Sequence, residues 1–164
     1  MTNLNILIEP IKPMHNMAIA KIIRNSLEEF GANKKGTVYY DDSTDYLFEL
    51  FDKAEKSFYL IASINDEVVG GAGIFETEGL PKDTCELVKM YLKKEVRGLG
   101  LGYKLISQCM QQAKAMGYAK MYLETMPELK KAVEVYEKFG FTKLAQPMGN
   151  SGHCGCDIWM IKDL

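Results

Sequence analysis

The stretch that decides the fold lies near the middle of the chain and reads Arg97-Gly98-Leu99-Gly100-Leu101-Gly102. An apolar segment typical of a strand, 85–92, comes before it, and a segment with helical periodicity, 100–116, comes after it. Three glycines at alternate positions allow unusual backbone dihedrals and leave the amides unshielded, so successive N–H groups can converge on one anion. The positive end of the helix and the Arg97 side chain favour phosphate at the same place. The stretch therefore predicts a loop that binds a diphosphate.

The segments around this loop predict one parallel crossover. The helix buries residues spaced along one face and ends at Gly117, and 118–125 has the composition of the next strand. Strand, helix and strand then form a right-handed unit, with the loop at the carboxyl end of the first strand. Ligands of such sheets bind at that end, which agrees with the predicted diphosphate site.

The spacing of the glycines separates this loop from two other nucleotide-binding motifs. It is G-x-G-x-G, whereas a dinucleotide fingerprint has G-x-G-x-x-G and a P-loop has G-x-x-x-x-G-K-[ST]. Glu124 does lie about as far beyond the loop as an acid that binds a ribose, which keeps a nicotinamide-dependent oxidoreductase as an alternative. The glycine spacing and the single crossover argue against that alternative.

The pattern that does fit is R-x-x-G-x-G after a strand, and it resembles the acetyl-CoA pyrophosphate loop of the GCN5-related N-acetyltransferase (GNAT) family. A second segment, 132–141, reads A-V-E-V-Y-E-K-F-G-F and resembles the family's A-x-x-x-Y-E-K-x-G-F element. The resemblance is tightest from Cys85 to Phe141. It implies an α/β (α+β) fold of three α/β/α layers, built on a central mixed and mostly antiparallel sheet of about six to seven strands.

Apolar periodicity outside this region agrees with such a sheet. Apolar or alternating runs predict strands at 6–11, 58–64, 68–75, 141–144 and 158–161, with a tight hairpin turn at Asn65-Asp66. Helical spacing predicts a helix over 14–30 and a second one capped by Ser43. The spacing from Thr125 to Glu128 is that of a capping box for a further helix. Glycines 70, 71 and 73 within one strand indicate a bulge or the close approach of another group.

Composition and charge narrow the class of protein. A chain of 164 residues with 47% apolar content predicts a single domain over 1–164. The formal charge is −2 and the basic residues are scattered, which argues against nucleic-acid or membrane-surface binding and favours a small-molecule or peptide acceptor. We find no leader segment and no apolar run long enough for a bilayer, so we expect a cytoplasmic protein. The run His153-Cys154-Gly155-Cys156 has no second ligand cluster and is interpreted as a loop, so no metal is expected.

Acetyl transfer to an amine needs a group that removes the amine proton, because an aliphatic amine is mostly protonated at neutral pH. Glu86 is the first candidate, since it lies in the strand before the loop and the family often carries a base on this strand. A solvent-facing strand residue is an equally good interpretation. Strand alternation assigns Glu86, Val88, Met90 and Leu92 to one face and Leu87, Lys89 and Tyr91 to the other. The fallback candidates are Glu76, Asp41, Asp42 and Glu124.

Tyr136 occupies the position of the tyrosine in the family element, which implies that its hydroxyl lies near the cofactor sulfur and protonates the departing thiolate. A core tyrosine is the alternative, since Tyr136 lies on the apolar face of its helix, and both can hold together. The resemblance also implies that a backbone N–H near residues 90–92 polarises the thioester carbonyl and that this strand holds the pantetheine arm. The residues expected to bind acetyl-CoA are Met90, Tyr91, Leu92, Arg97, Gly98, Leu99, Gly100, Leu101, Gly102 and Tyr103.

The acceptor site is the part that the sequence defines least. In the family it is formed by the first helix pair and late loops, so we expect contributions from Tyr39, Tyr40, Asp41 and His153, whose acidic and aromatic groups suit a cationic amine. We predict an acetyl-CoA-dependent N-acetyltransferase that acetylates a primary amine of a small molecule or amino acid by direct attack in a ternary complex. A protein N-terminus or lysine is an alternative acceptor, and a non-catalytic acyl-CoA-binding module is an alternative function. No cysteine is placed to form a ping-pong intermediate, and a homodimer, common in the family, is compatible with the sequence.

Overall fold

Residues 3–164 are described by the computed structural model, and they supply seven strands and four helices. The strands are β1 (Ile6–Pro10), β2 (Phe58–Ile64), β3 (Glu67–Phe75), β4 (Thr84–Leu92), β5 (Lys120–Thr125), β6 (Thr142–Leu144) and β7 (Ile158–Asp163). The helices are α1 (Asn16–Glu29), α2 (Leu47–Lys53), α3 (Leu101–Ala115) and α4 (Lys130–Lys138). Short 3-10 turns occupy Pro13–His15, Val38–Tyr40, Asp42–Tyr46 and Lys94–Val96.

The strands pair into one sheet in the order β1-β2-β3-β4-β5-β7-β6. β4 and β5 run parallel, and every other neighbouring pair is antiparallel. The predicted mixed, mostly antiparallel sheet of six to seven strands is therefore confirmed. α3 joins the parallel pair, as the crossover required. The tight turn between β2 and β3 has Asn65 and Asp66 at φ values of 50° and 69°.

Helices cover both faces of the sheet and complete the three predicted layers. On one face, α1 and α2 bury side chains such as Ile23 and Phe51 against the sheet. On the other face, α3 and α4 bury side chains such as Leu105 and Val133. The apolar spacing that predicted these helices therefore corresponds to the stripes that they bury. None of the helices within residues 3–164 has both the length and the apolar content needed to cross a membrane.

A bulge interrupts β4 in its second half. A two-residue step in β3, from Gly71 to Gly73, pairs with a three-residue step in β4, between Val88 and Tyr91. Lys89 lies inside that step and has a left-handed φ of 53°. The bulge therefore places one extra residue in β4 at the point where the strand approaches the glycine loop.

The bulge changes the face on which β4 side chains lie. Val88 packs on the α1 side of the sheet, whereas Met90 and Leu92 pack on the α3 side. Tyr91 packs on the α1 side with Val88. The predicted alternation, which assigned Val88, Met90 and Leu92 to the same face, is wrong because it assumed an unbroken strand.

The glycines of β3 make room for the ring of Tyr59. A Cβ at Gly71 would lie 2.6 Å from Tyr59 Cε1, and a Cβ at Gly73 would lie 2.7 Å from Tyr59 Cδ2. The ring extends from β2 past both glycines, and its hydroxyl donates to the Lys89 carbonyl at 2.7 Å. The close approach that the glycines predicted is therefore that of Tyr59, whose hydroxyl holds the bulge.

Two predicted helix caps are wrong. Ser43 lies within a 3-10 turn, and α2 begins after it without a side-chain cap. Thr125 is the last residue of β5, and α4 begins at Lys130, also without a side-chain cap. Glu128, the far end of the predicted capping box, forms an ion pair with Lys34 instead. Packing of the apolar faces, not capping, defines where these helices begin.

Candidate active site

A cavity opens where β4 and β5 separate. The two strands pair from Thr84 with Lys120 as far as Glu86 with Tyr122. Beyond that point β4 continues along β3 and β5 continues along β7, so their facing edges diverge. The gap leads into a cavity of about 1100 Å³. Its wall combines the second half of β4, the glycine loop, one face of α4 and the loop before β7.

The glycine loop presents unbonded amides at one end of this cavity. Gly98 and Gly100 have φ values of 83° and 82°, and a Cβ at either would meet no atom within 4 Å, so the left-handed backbone is what requires glycine. α3 begins at the next residue. Within residues 3–164, none of the six amides from Gly98 to Tyr103 donates a backbone hydrogen bond. Free amides at the N-terminus of a helix favour an anionic group.

The other residues of the glycine loop differ in how they pack against the protein. Gly102 lets α3 approach β4, since a Cβ there would lie 2.9 Å from Met90 Cε. Leu101 is buried in the core, and Leu99 is exposed outside the cavity wall. The predicted pantetheine-binding segment, residues 90–92, forms the cavity wall along the free edge of β4.

Cationic and aromatic side chains line the same cavity as the glycine loop. Tyr103 is 66% exposed and stacks on Phe139, with ring centroids 4.9 Å apart and an angle of 23° between the ring planes. Four lysines contribute to the same wall: Lys94, Lys130, Lys131 and Lys138. Positive charge beside a flat aromatic surface suits a ligand with phosphates and a heteroaromatic base.

Arg97 is directed away from the free amides. Its guanidinium donates to the Leu92 carbonyl at 3.0 Å and to Glu29 at 3.0 Å, and it lies 5.0 Å from the centre of the Phe30 ring. These contacts fasten the C-terminal end of α1 to the end of β4. Arg97 also lines the cavity, but its donors are engaged by the protein in this arrangement.

Tyr136 lies on the wall of the same cavity as the glycine loop and Glu124. It is 8% exposed, and its ring packs edge-on against Phe141 with centroids 5.9 Å apart. Burial raises the pKa of Tyr136 to about 12, so the hydroxyl stays protonated and can act as a donor. The ring belongs to the core while the residue lines the cavity, so the two interpretations of Tyr136 are compatible.

Two glutamates meet at the other end of the cavity. Glu86 is 3% exposed, accepts a hydrogen bond from Thr77 at 2.7 Å and lies behind the cavity wall. Burial raises the pKa of Glu86 to about 7, against the Thr77 hydrogen bond and with the help of the Glu124 charge. Glu124 does line the cavity, and it accepts hydrogen bonds from Tyr122 at 2.6 Å and from Ser151.

His153 reaches the same end from the loop before β7. Its Nε2 lies 2.7 Å from Oδ2 of Asp41, and this contact lowers the pKa of Asp41 against the effect of burial. Because an ionised carboxylate only accepts hydrogen bonds, the ring donates through Nε2, and Nδ1 is the basic nitrogen of the neutral ring. One ligand atom each of Glu86, Glu124 and His153 lies within 4.8 Å of the others. Hydrogen bonds within the protein already engage all three groups, so they suit proton transfer better than metal coordination.

Two glycines bring the His153 loop against the loop that carries Asp41. The Gly155 N–H donates to the Gly36 carbonyl at 2.9 Å. A Cβ at Gly155 would lie 2.7 Å from the Lys35 carbonyl oxygen, so there is no room for a side chain between the loops. Distant parts of the sequence therefore form the His153–Asp41 pair through a backbone contact.

The other predicted acceptor residues lie outside the cavity wall. Tyr39 donates its hydroxyl to Glu28 on α1. Tyr40 is exposed and packs edge-on against Tyr39, with centroids 5.0 Å apart. These two aromatic rings therefore contact α1 and each other, not the cavity.

Two residues of the cavity wall were given no role in the sequence analysis. Cys156, in the run that was interpreted as a loop, lines the cavity near Glu124. Burial raises the pKa of Cys156 to about 12, and nearby carboxylates add to the effect, so the thiol stays protonated and is a poor nucleophile. Lys89 lines the cavity at the bulge, and burial lowers its pKa against the opposing charges of Glu86 and Asp41. A lysine among apolar residues in the second half of β4 is the signal in the sequence that points to it.

The chain is similar in sequence and in structure to known proteins. Residues 20–141 match the sequence profile of the Acetyltransferase (GNAT) family. The chain is 37% identical to the uncharacterised N-acetyltransferase YjgM of Escherichia coli K12 over 150 aligned residues. The aligned region covers 91% of this chain and 89% of that relative. A GNAT-family acetyltransferase from Staphylococcus aureus Mu50 superposes with a TM-score of 0.80 at 20% identity, over 96% and 98% of the two chains. The acetyltransferase yncA from Salmonella typhimurium, solved with acetyl-CoA, superposes with a TM-score of 0.75 at 19% identity, over 96% and 93%.

Proposed function

Because the chain belongs to the GNAT family of acetyltransferases, we propose that it is an N-acetyltransferase that moves the acetyl group of acetyl-CoA directly to a primary amine. The acceptor is a small molecule or an amino acid. One observation carries the proposal, namely that the glycine loop with its free amides, Tyr136, Glu124 and His153 all line a single cavity.

The donor end of the cavity fits the chemistry of coenzyme A. The free amides of residues 98–103 bind the diphosphate, and the lysines of the wall add positive charge. The free edge of β4 at residues 90–92 offers backbone groups to the amides of the pantetheine arm, in the manner of an added strand. The thioester then lies near the split between β4 and β5, within the reach of Tyr136.

The acceptor end supplies the proton transfers. Glu124 lines the cavity and holds the amine by charge, and Glu86 behind it takes the amine proton, since a pKa of about 7 suits a base at neutral pH. The amine nitrogen attacks the carbonyl carbon, the carbon–sulfur bond breaks, and the Tyr136 hydroxyl gives a proton to the sulfur. The nitrogen loses its second proton as the amide forms, and that proton restores the Tyr136 hydroxyl. Cys156 takes no part, because its thiol stays protonated.

A thiol-release assay with acetyl-CoA and a panel of amines tests the proposal. The panel contains amino acids, polyamines, aminoglycosides and peptides, and release is expected with one class only. Glu124→Gln should raise KM for that acceptor by about tenfold or more, whereas Glu134→Gln, an exposed glutamate of α4 outside the cavity wall, should behave as wild type. Tight binding of acetyl-CoA without release for any acceptor would contradict the proposal and favour a non-catalytic acyl-CoA-binding module.

A further inference from the structure

Lys89 stands out from the rest of β4 in its backbone. Its φ of 53° is left-handed, a conformation that is strained for a residue with a Cβ. The Tyr59 hydroxyl fixes this geometry by donating to the Lys89 carbonyl at 2.7 Å. A strained residue held by a hydrogen bond at a cavity wall is typical of a functional position.

The Lys89 ammonium lies among groups that already have partners. The two carboxylates that act on its charge are Glu86 and Asp41. Glu86 accepts from Thr77, and Asp41 pairs with His153. Among residues 3–164, no carboxylate lies within 4.0 Å of the Lys89 Nζ. Lys89 is half-buried at the cavity wall. An ammonium there without a direct carboxylate partner is costly, and an anionic group of a ligand would relieve that cost.

We propose that Lys89 binds a carboxylate of the acceptor, so that the acceptor is an α-amino acid or a similar zwitterion with its amine and carboxylate close together. The inference rests on the proposed function and names the substrate class of the same site. A purely cationic amine beside Glu124 would also approach the Lys89 ammonium, and the two positive charges would repel each other. A carboxylate on the acceptor, next to its amine, cancels this repulsion.

Position along β4 and the distances at this end of the cavity define how close the two groups of the acceptor must be. Lys89 follows Glu86 by three residues in β4, and one ligand atom of Glu86 lies within 4.8 Å of those of Glu124 and His153. The amine and the carboxylate are therefore bound within one small volume, not at opposite ends of the cavity. This arrangement fits groups that share one carbon atom better than groups separated by a long chain.

Matched acceptors test the inference. For the best amino acid of the panel, kcat/KM is compared with that of its decarboxylated amine and its primary amide, in wild type and in Lys89→Met. Wild type should prefer the carboxylate-bearing acceptor by about tenfold to a hundredfold, and Lys89→Met should lose that preference while it keeps its activity on the decarboxylated amine. The ratio is internal to each protein, so a partly inactive preparation does not change it.

Three further variants separate charge from structure. Lys89→Arg keeps the charge and should retain the preference for the carboxylate. Lys89→Gly relieves the left-handed backbone and should lose the preference although it gains stability. Lys94→Met, at the donor end of the cavity, should leave the ratio unchanged. Equal kcat/KM for the amino acid and its decarboxylated amine in wild type, or an unchanged ratio in Lys89→Met, would overturn the inference and leave the acetyltransferase proposal intact. Absence of turnover with every amine would overturn the proposed function itself.

Discussion

Replacing Glu86 with glutamine isolates the ionisation of the most deeply buried acid at the site. Glu86 is 3% exposed, and its pKa is raised to about 7, chiefly by burial. Glutamine keeps an oxygen that can accept the Thr77 hydroxyl, but it carries no charge that burial penalises. The variant therefore removes the titration and preserves most of the packing.

The pKa values give the size of the effect. The folded protein holds the Glu86 proton up to about pH 7, whereas the unfolded chain releases it near the ordinary value of 4.5. The contribution of this proton to stability is therefore fully present below pH 4.5 and is lost as pH rises through 7. From about pH 5 to about pH 8, wild type should lose about 2 to 3 kcal/mol of unfolding free energy relative to Glu86→Gln.

Urea denaturation of the two proteins near pH 5 and near pH 8 measures this shift. Glu76→Gln is the matched control, because Glu76 is an exposed glutamate just beyond β3, and its difference from wild type should change by less than about 0.5 kcal/mol between the two pH values. If the Glu86→Gln difference were the same at both pH values, Glu86 would be ionised throughout, and the reasoning from burial would be refuted.

Three further changes probe the donor end and the chemistry. Gly98→Ala strains a left-handed residue and should weaken acetyl-CoA binding about 5- to 30-fold by calorimetry. The control Gly117→Ala, at a φ of 95° outside the cavity wall, should lower stability but not affinity. Equal affinity of Gly98→Ala and wild type would count against the loop geometry. Tyr136→Phe should lower kcat by about a hundredfold or more at an unchanged melting temperature, and an unaltered kcat would remove the hydroxyl from the mechanism. Cys156→Ala should keep its activity, and an inactive Cys156→Ala protein with a normal melting temperature would show that the thiol matters. Alkylation of wild type near pH 8 should reach the exposed Cys154 before Cys156.

The architecture could be predicted from the sequence because its signals are local. The glycine loop between an apolar strand and an amphipathic helix predicts the crossover, and apolar periods predict the remaining elements. The alternation along β4 could not be predicted, because the bulge depends on a contact between three strands. The glycines of β3 signal the close approach, but only the folded sheet identifies Tyr59 as the group that passes them and Lys89 as the residue that it holds.

The site was predictable only in part, for a related reason. Asp41 and His153 could each be named as candidates, but they are 112 positions apart and meet through a backbone contact of two loops. The point at which β4 and β5 separate decides whether Glu86 or Glu124 faces the cavity. The periodicity of the sequence does not predict that point. For Arg97, the motif and the structure differ. Its position in the motif predicts a phosphate contact, but its side chain is bound to Leu92 and Glu29.

Direct attack in a ternary complex is the central claim, and a two-substrate kinetic grid tests it most directly. Initial rates of thiol release would be measured while acetyl-CoA and the best amine of the panel are both varied. The account predicts double-reciprocal lines that intersect, because both substrates occupy the cavity before the acetyl group moves and Cys156 stays protonated. Parallel lines would show that the acetyl group passes through a covalent enzyme intermediate, and they would contradict the account.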